Sequence, residues 1–129
     1  MTPLRLLLAA SLLGGLPAQA SSPQHTLAHY QQQAGSASAS RGEALFRAQV
    51  TRDGKTESCT SCHTDNPKAV GKTRANKAIE PLAPVANRER LTDLDKVEKW
   101  FRRNCRDVLG RECTVQEKAD FVAFLIAVK

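Results

Sequence analysis

The sequence predicts an all-α domain, and three observations carry that prediction. Three cap-like starts, Ser40 with Glu43, Thr92 with Asp95 and Thr114 with Glu117, each precede an apolar pattern of helical period. No stretch shows the alternation of a half-buried strand. At 129 residues the chain has room for one domain. Aromatic residues make up only 5%, namely Tyr30, Phe46, Trp100, Phe101, Phe121 and Phe124. Something besides side chains is expected to fill part of the interior.

The elements follow in order. Met1 to Ala20 reads as a secretory signal peptide, with Arg5, the apolar run Leu6–Leu13 and a small-x-small cleavage site at Ala18-Gln19-Ala20. The run falls well short of the roughly 20 residues that span a bilayer. Removing it takes one Arg and no acid, so the formal charge drops from +6 by one. Residues 21–39 read as a polar segment with a weak helix from Thr26 to Gln33, then a Gly/Ser/Ala linker. The core domain is expected over 40–129. Its first helix runs from Ser40 to about Val50 on Leu45 and Phe46, and Thr51–Lys55 makes a turn. Residues 64–90 form a long loop with Pro67, Gly71, Pro81 and Pro84, and long loops in small domains tend to be functional. The second helix, Thr92 to about Cys105, sets Leu94, Val97, Phe101 and Cys105 on one face. After a turn at Val108–Arg111 the last helix runs from Thr114 to Val128 on Phe121, Phe124, Leu125 and Val128.

Cys59-Thr60-Ser61-Cys62-His63 is the pattern of covalent c-type haem attachment. Two thiols add to the two vinyl groups, and the adjacent histidine then meets the iron. Three other chemistries use related patterns. A thioredoxin-like pair wants a βαβ setting, whereas a helix and a turn precede this one. A zinc site could recruit Cys105 or Cys113 beside Cys59, Cys62 and His63, at the cost of an odd thiol in an oxidising compartment. A plain Cys59–Cys62 disulfide is the third. One haem c, attached through Cys59 and Cys62, accounts best for the motif, the export signal and the shortage of aromatics together. A helix before the motif and another at the C-terminus look like the class I cytochrome c fold. Gly42 and Phe46 on the first helix and Phe121 and Leu125 on the last match the family's packing positions.

The sixth iron ligand is the open question. The chain's one methionine is Met1, which excludes the His/Met pair common in electron carriers. His25 and His29 lie upstream of the linker and would have to fold back. Asn66, Lys68, Lys72, Asn76, Lys77 and Asn87 are the donors in the long loop, and a water-filled position is the remaining choice.

The runs Ile79–Asn87, Arg90–Asp93, Lys96–Cys105 and Gly110–Lys118 resemble the sphaeroides haem protein family. The resemblance implies an exported monohaem cytochrome c with His63 as proximal and Asn87 as displaceable distal ligand. It implies that Asn87 leaves on reduction, that O₂ or NO then binds, and that electrons come from a dihaem cytochrome c with a membrane cytochrome b. One departure stands out: Arg88 follows Asn87 where proline is expected. The alternative is a simple electron carrier with a permanent sixth ligand.

Cys105 and Cys113 flank a glycine turn and are expected to pair, as they do in that family; a thiolate ligand or redox switch is the functional alternative. Lys96, Lys99, Arg102, Arg103 and Arg106 gather on one helix, either as a solvated face or as a docking patch for an acidic redox partner. Lys72, Arg74, Lys77 and Trp100 are candidates to meet the haem propionates. Arg88 and Arg90 are the charged residues nearest Asn87. A periplasmic monomer that does not bind nucleic acid is expected.

Overall fold

A computed structural model describes residues 21–129 of the chain. The signal-peptide reading of Met1–Ala20 lies outside the described residues. Five helices and two small hairpins follow in order: α1 Pro23–Ala34, α2 Ala39–Arg47, β1 Val50–Arg52, β2 Lys55–Glu57, α3 Thr60–His63, β3 Gly71–Lys72, β4 Ala78–Ile79, α4 Leu94–Leu109 and α5 Val115–Ala127.

The core is organised by α2 crossing α5. Phe46 is fully buried and packs against Phe124 and Phe121, with ring centroids 5.4 and 6.2 Å away. Leu125 and Val122 complete the floor. Gly42 sits where the two helices touch. A Cβ there would collide with the Asp120 carbonyl and the Phe124 Cβ, so only glycine permits this approach.

Helix starts are legible in part. Thr114 caps α5 in a full capping box, accepting from the Glu117 amide at 3.1 Å while Glu117 accepts from the Thr114 amide at 2.8 Å. The cap of α2 is Ser38, not Ser40, and Glu43 pairs with Arg47 at 3.0 Å instead of closing a box. The reason lies on α5. Buried Asp120 accepts from the Ser38 amide at 2.7 Å, from Arg41 at 2.7 and 2.9 Å, and from Gln116 at 2.9 Å. Those bonds fix the backbone two residues earlier than the local pattern suggests. In the same way α4 is capped by Asp93, because Thr92 spends its hydroxyl on the Glu89 carbonyl at 2.8 Å. α4 also runs past Cys105 to Leu109 and stops at Gly110, which is left-handed at φ 73°.

Two expectations need correcting. The first helix ends at Arg47, and residues 50–57 form an antiparallel hairpin rather than a helix tail and turn. Asp53 and Gly54 both have positive φ, as a two-residue hairpin turn of type I′ requires. Asp-Gly was the available signal. Second, residues 21–39 are not a tail on a linker. α1 packs on α5 and reaches α4 through Tyr30, and Thr26 and Tyr30 are each 1% exposed. The Tyr30 hydroxyl donates to Glu98 at 2.6 Å, its ring meets Phe101 edge-on, and Lys118 closes the group on Glu98 at 2.9 Å. Burial, then the Glu98 bond, push the Tyr30 phenol far up. The helix looked weak because both of its anchors carry polar ends.

Cys105 and Cys113 are joined between α4 and α5, with Cα atoms 5.6 Å apart.

Candidate haem site

The proximal side is built locally. Ser58 is buried and ties the end of α2 to the start of α3. Its hydroxyl lies 3.4 Å from the Phe46 carbonyl and accepts from the Thr60 amide at 3.3 Å. The Ser58 amide donates to Ser61 Oγ at 3.1 Å. α3 is then a single turn in which the amides of Cys62 and His63 both donate to the Cys59 carbonyl, at 3.3 and 3.1 Å. That turn sets Cys59, Cys62 and His63 in one short arc. Thr64, at φ 62°, reverses the chain directly afterwards.

β3 presses against this arc. A Cβ on Gly71 would strike the Cys62 carbonyl, so the strand approaches as bare backbone. Thr60, Ser61, Cys62, Thr64, Val70, Gly71 and Lys72 line a cleft of about 240 Å³.

The electrostatics suit iron ligation. Burial, together with the nearby Arg90 guanidinium, pushes the His63 imidazole down to about 4, so it is neutral at ordinary pH. Neutral imidazole is the form that ligates metal. Burial pushes the Cys59 thiol up to about 11, which keeps it a quiet thiol rather than a reactive thiolate. Cys59 and Cys62 are not bonded to each other. Cys105 and Cys113 are consumed by their own bridge, which removes the fourth ligand that the zinc reading needed. Val70 in the cleft and Val85 before Asn87 are 54% and 60% exposed, apolar surface that a flat macrocycle can cover. The residues present fit a covalently held haem.

Residues 80–91, which carry Asn87, form an irregular loop pinned at several points. Both the Leu82 and Ala83 amides donate to the Pro67 carbonyl, at 2.9 and 3.0 Å, fastening this loop to the chain just past His63. Ala83 is fully buried and accepts from the amides of Ala86 and Asn87. Arg90 reaches back to the carbonyls of Pro81 at 2.7 Å and Glu80 at 2.6 Å. Burial lowers its affinity for the proton and Glu80 partly opposes that, yet guanidinium stays charged. Arg90 thus both braces the loop and brings its charge to His63. Sequence reasoning noted it only as a neighbour of Asn87.

Asn87 sits at the head of the last turn of this loop. Its amide oxygen accepts from the Glu89 amide at 3.1 Å, and its carbonyl accepts from the Arg90 amide at 3.0 Å. The side chain is therefore an Asx-turn cap. A carbonyl oxygen has two lone pairs, so this bond leaves one to coordinate.

Other sequence candidates are dispersed. His25 is exposed, and His29 lies edge-on to Tyr30 at 5.3 Å, on the α1–α4 side. Lys68 bonds the Lys129 carbonyl, Asn66 caps the Lys68 amide, and Arg74 pairs with Glu57 at 2.7 Å. Of the propionate candidates only Lys72 lines the cleft. Trp100 is 44% exposed with Arg103 over its ring.

Comparison with known proteins agrees with this geometry. Residues 32–125 match the family described as a domain of unknown function, DUF1924. The cytochrome c-type protein SHP of Cereibacter sphaeroides is 48% identical over 125 residues, covering 95% of this chain and 96% of that protein. Cytochrome c'' of Methylophilus methylotrophus is 51% identical over 77 residues, covering 59% of this chain and 54% of that protein. The structure of oxidised SHP, an oxygen-binding cytochrome c, superposes with a TM-score of 0.77 at 47% identity, covering 83% of this chain and 97% of that one. A solution structure of cytochrome c'', which addresses haem-ligand detachment, gives 0.71 at 38% identity over 81% and 92% of the two chains. The model match over most of the chain and the near full-length identity to SHP lead to one conclusion: this chain belongs to the DUF1924 family, as a c-type cytochrome of the SHP type.

Proposed function

We propose that the chain is an exported monohaem cytochrome in which His63 holds the iron permanently and Asn87 holds it displaceably, so that O₂ or NO can take the place of Asn87. Bound haem supplies one-electron redox chemistry and a coordination position for a diatomic gas. Cys59 and Cys62 fix it covalently, and His63 orients it from the short arc of α3. Asn87 offers a hard, neutral oxygen, a donor better matched to ferric than to ferrous iron. Its loop is fastened to the Pro67 carbonyl, four residues past His63, and the Asn87 amide oxygen keeps a free lone pair, and this is the observation on which the reading rests. The oxygen-binding description of SHP and the ligand detachment described for cytochrome c'' support it.

Electrons would come from an acidic redox protein of the dihaem cytochrome c class, with a membrane cytochrome b behind it. Lys99, Arg102, Arg103 and Arg106 line one groove on α4 and supply the complementary charge. Removal of Met1–Ala20 and a periplasmic location for the monomer belong to the same reading.

The test is spectroscopic. In Asn87→Ala the ferric protein should become high-spin or aquo, while ferrous CO binding stays near wild type. A reduced wild type that is low-spin and inert to CO would sink the proposal and leave a plain electron carrier, with His25 and His29 next to be mutated.

A further inference from the structure

Thr26 and Tyr30 stand one turn apart on the same face of α1. They reach two different parts of the molecule. Tyr30 bonds Glu98 on α4, whereas the Thr26 hydroxyl donates to the Leu91 carbonyl at 2.7 Å, a bond spanning 65 residues. That bond is buried: Thr26 is 1% and Leu91 9% exposed. Leu91 is four residues past Asn87 and holds φ 62°, the left-handed region that a branched residue seldom enters without support. It is the point where the Asn87 turn ends and the chain reverses into Asp93, the cap of α4.

We infer that Thr26 is a positioning residue for Asn87: α1 is a strap that fixes the downstream hinge of the distal loop at Leu91. The inference rests on the reading of Asn87 as the displaceable ligand. The loop has two braces. Arg90 ties it upstream to Pro81 and Glu80, and Thr26 ties it downstream. With Leu91 fixed, Asn87 is aimed at one place and returns to it after displacement. Without the hydroxyl, the Leu91 carbonyl loses its buried partner, and the hinge relaxes towards conformations in which Asn87 is off the iron. α1 thereby sets the internal competitor that any incoming ligand must displace. Thr26 lies outside residues 32–125, the stretch that the family model covers.

The consequence is quantitative. An external ligand that must displace Asn87 binds more tightly by the same factor as Asn87 is weakened. The probe is imidazole, titrated into the ferric holoprotein and followed in the Soret band. Thr26→Val keeps the shape and removes the donor. It should tighten apparent imidazole binding by about 2- to 10-fold, the range expected for one buried hydrogen bond. It should also raise the ferric high-spin fraction. Thr26→Ser should restore wild-type affinity, and Thr26→Ala serves as the donor-free arm should valine prevent folding. Tyr30→Phe breaks the other anchor of α1 while sparing Leu91. It should lower the melting temperature and leave imidazole affinity unchanged.

Equal affinities for wild type and Thr26→Val overturn the strap. So does an equal shift in Tyr30→Phe, which would mean that general loosening of α1 is at work. In the Asn87→Ala background Thr26→Val should have no effect, and a persistent effect there also overturns it. If Asn87→Ala alone leaves the ferric spectrum and imidazole affinity untouched, the ligand reading has failed, and that outcome is distinct from failure of the strap.

Discussion

The two sides of the haem site are made in opposite ways. The proximal side is contiguous: Cys59, Cys62 and His63 lie in one turn whose amides converge on a single carbonyl. The proposed distal side is a composite. Asn87 is aimed by a loop whose braces come from Pro67, from Glu80 and Pro81, and from Thr26 on α1. A contiguous arc moves as one body or not at all. A composite loop can lose one brace and keep the others. That difference in connectivity suits the roles proposed for them, a permanent ligand at His63 and a displaceable one at Asn87.

The largest expected effect breaks the proximal side outright. Cys59→Ala with Cys62→Ala should abolish covalent attachment, so acid–organic extraction removes all the haem from the variant and none from wild type. Next comes the frame behind both sides. Gly42→Val drives a side chain into the Asp120 carbonyl and should cost more than about 3 kcal/mol, or prevent folding, in a denaturant titration.

Asp120→Asn probes the same frame by pH. Burial raises the Asp120 carboxyl, but Arg41, the Ser38 amide and Gln116 outweigh it and hold the group below its ordinary value. A depressed carboxyl stabilises the fold fully above its unfolded value of about 4 and loses that contribution as pH falls through the folded one. Wild type should therefore lose melting temperature as pH drops below about 4, and Asp120→Asn should be less stable at neutral pH with a flatter acid limb.

Cys105→Ser should cost about 2.5 kcal/mol on the loop-entropy estimate, read by thermal melts, with haem retained. Arg90→Lys loses the forked contact to Pro81 and Glu80. It should cost only about 1 kcal/mol globally while raising ferric affinity for imidazole, a change confined to the distal side. The smallest effect on the fold belongs to Lys99→Glu with Arg102→Glu. Stability should stay within about 0.5 kcal/mol per site, while electron transfer from an acidic partner slows and loses its salt dependence.

Sequence legibility follows the same division. The Cys59–His63 arc stands out in the sequence because c-type haem attachment demands those residue types side by side. The Thr114–Glu117 box was readable because both partners lie within one turn. Ser38 was not, since its role is decided by Asp120 at the other end of the domain. The hairpin at 50–57 escaped because its strands are three residues long and mostly exposed, leaving only Asp53-Gly54 to betray it. The helix of α1 was legible as a weak one from Thr26 to Gln33, but its packing escaped because Thr26 and Tyr30 do not look like a stripe. Asn87 could be singled out only through family resemblance, because one of three amides among six loop donors carries no signature of its own.

The Cys105–Cys113 bridge bears on how the molecule is manufactured. Four thiols can pair in three ways, and haem attachment needs Cys59 and Cys62 reduced. Cys105 and Cys113 are separated by 8 residues, whereas Cys62 and Cys105 are about 40 apart, so the entropy of ring closure favours the short pairing roughly tenfold. Gly110 and the left-handed end of α4 bend the chain so that this short ring can close. Once shut, it withdraws two thiols from exchange. Cys59 and Cys62 can then mispair only with each other, a bridge that a single reductant reopens. The turn between the last two helices thus sorts the cysteines of a site to which it contributes no atom.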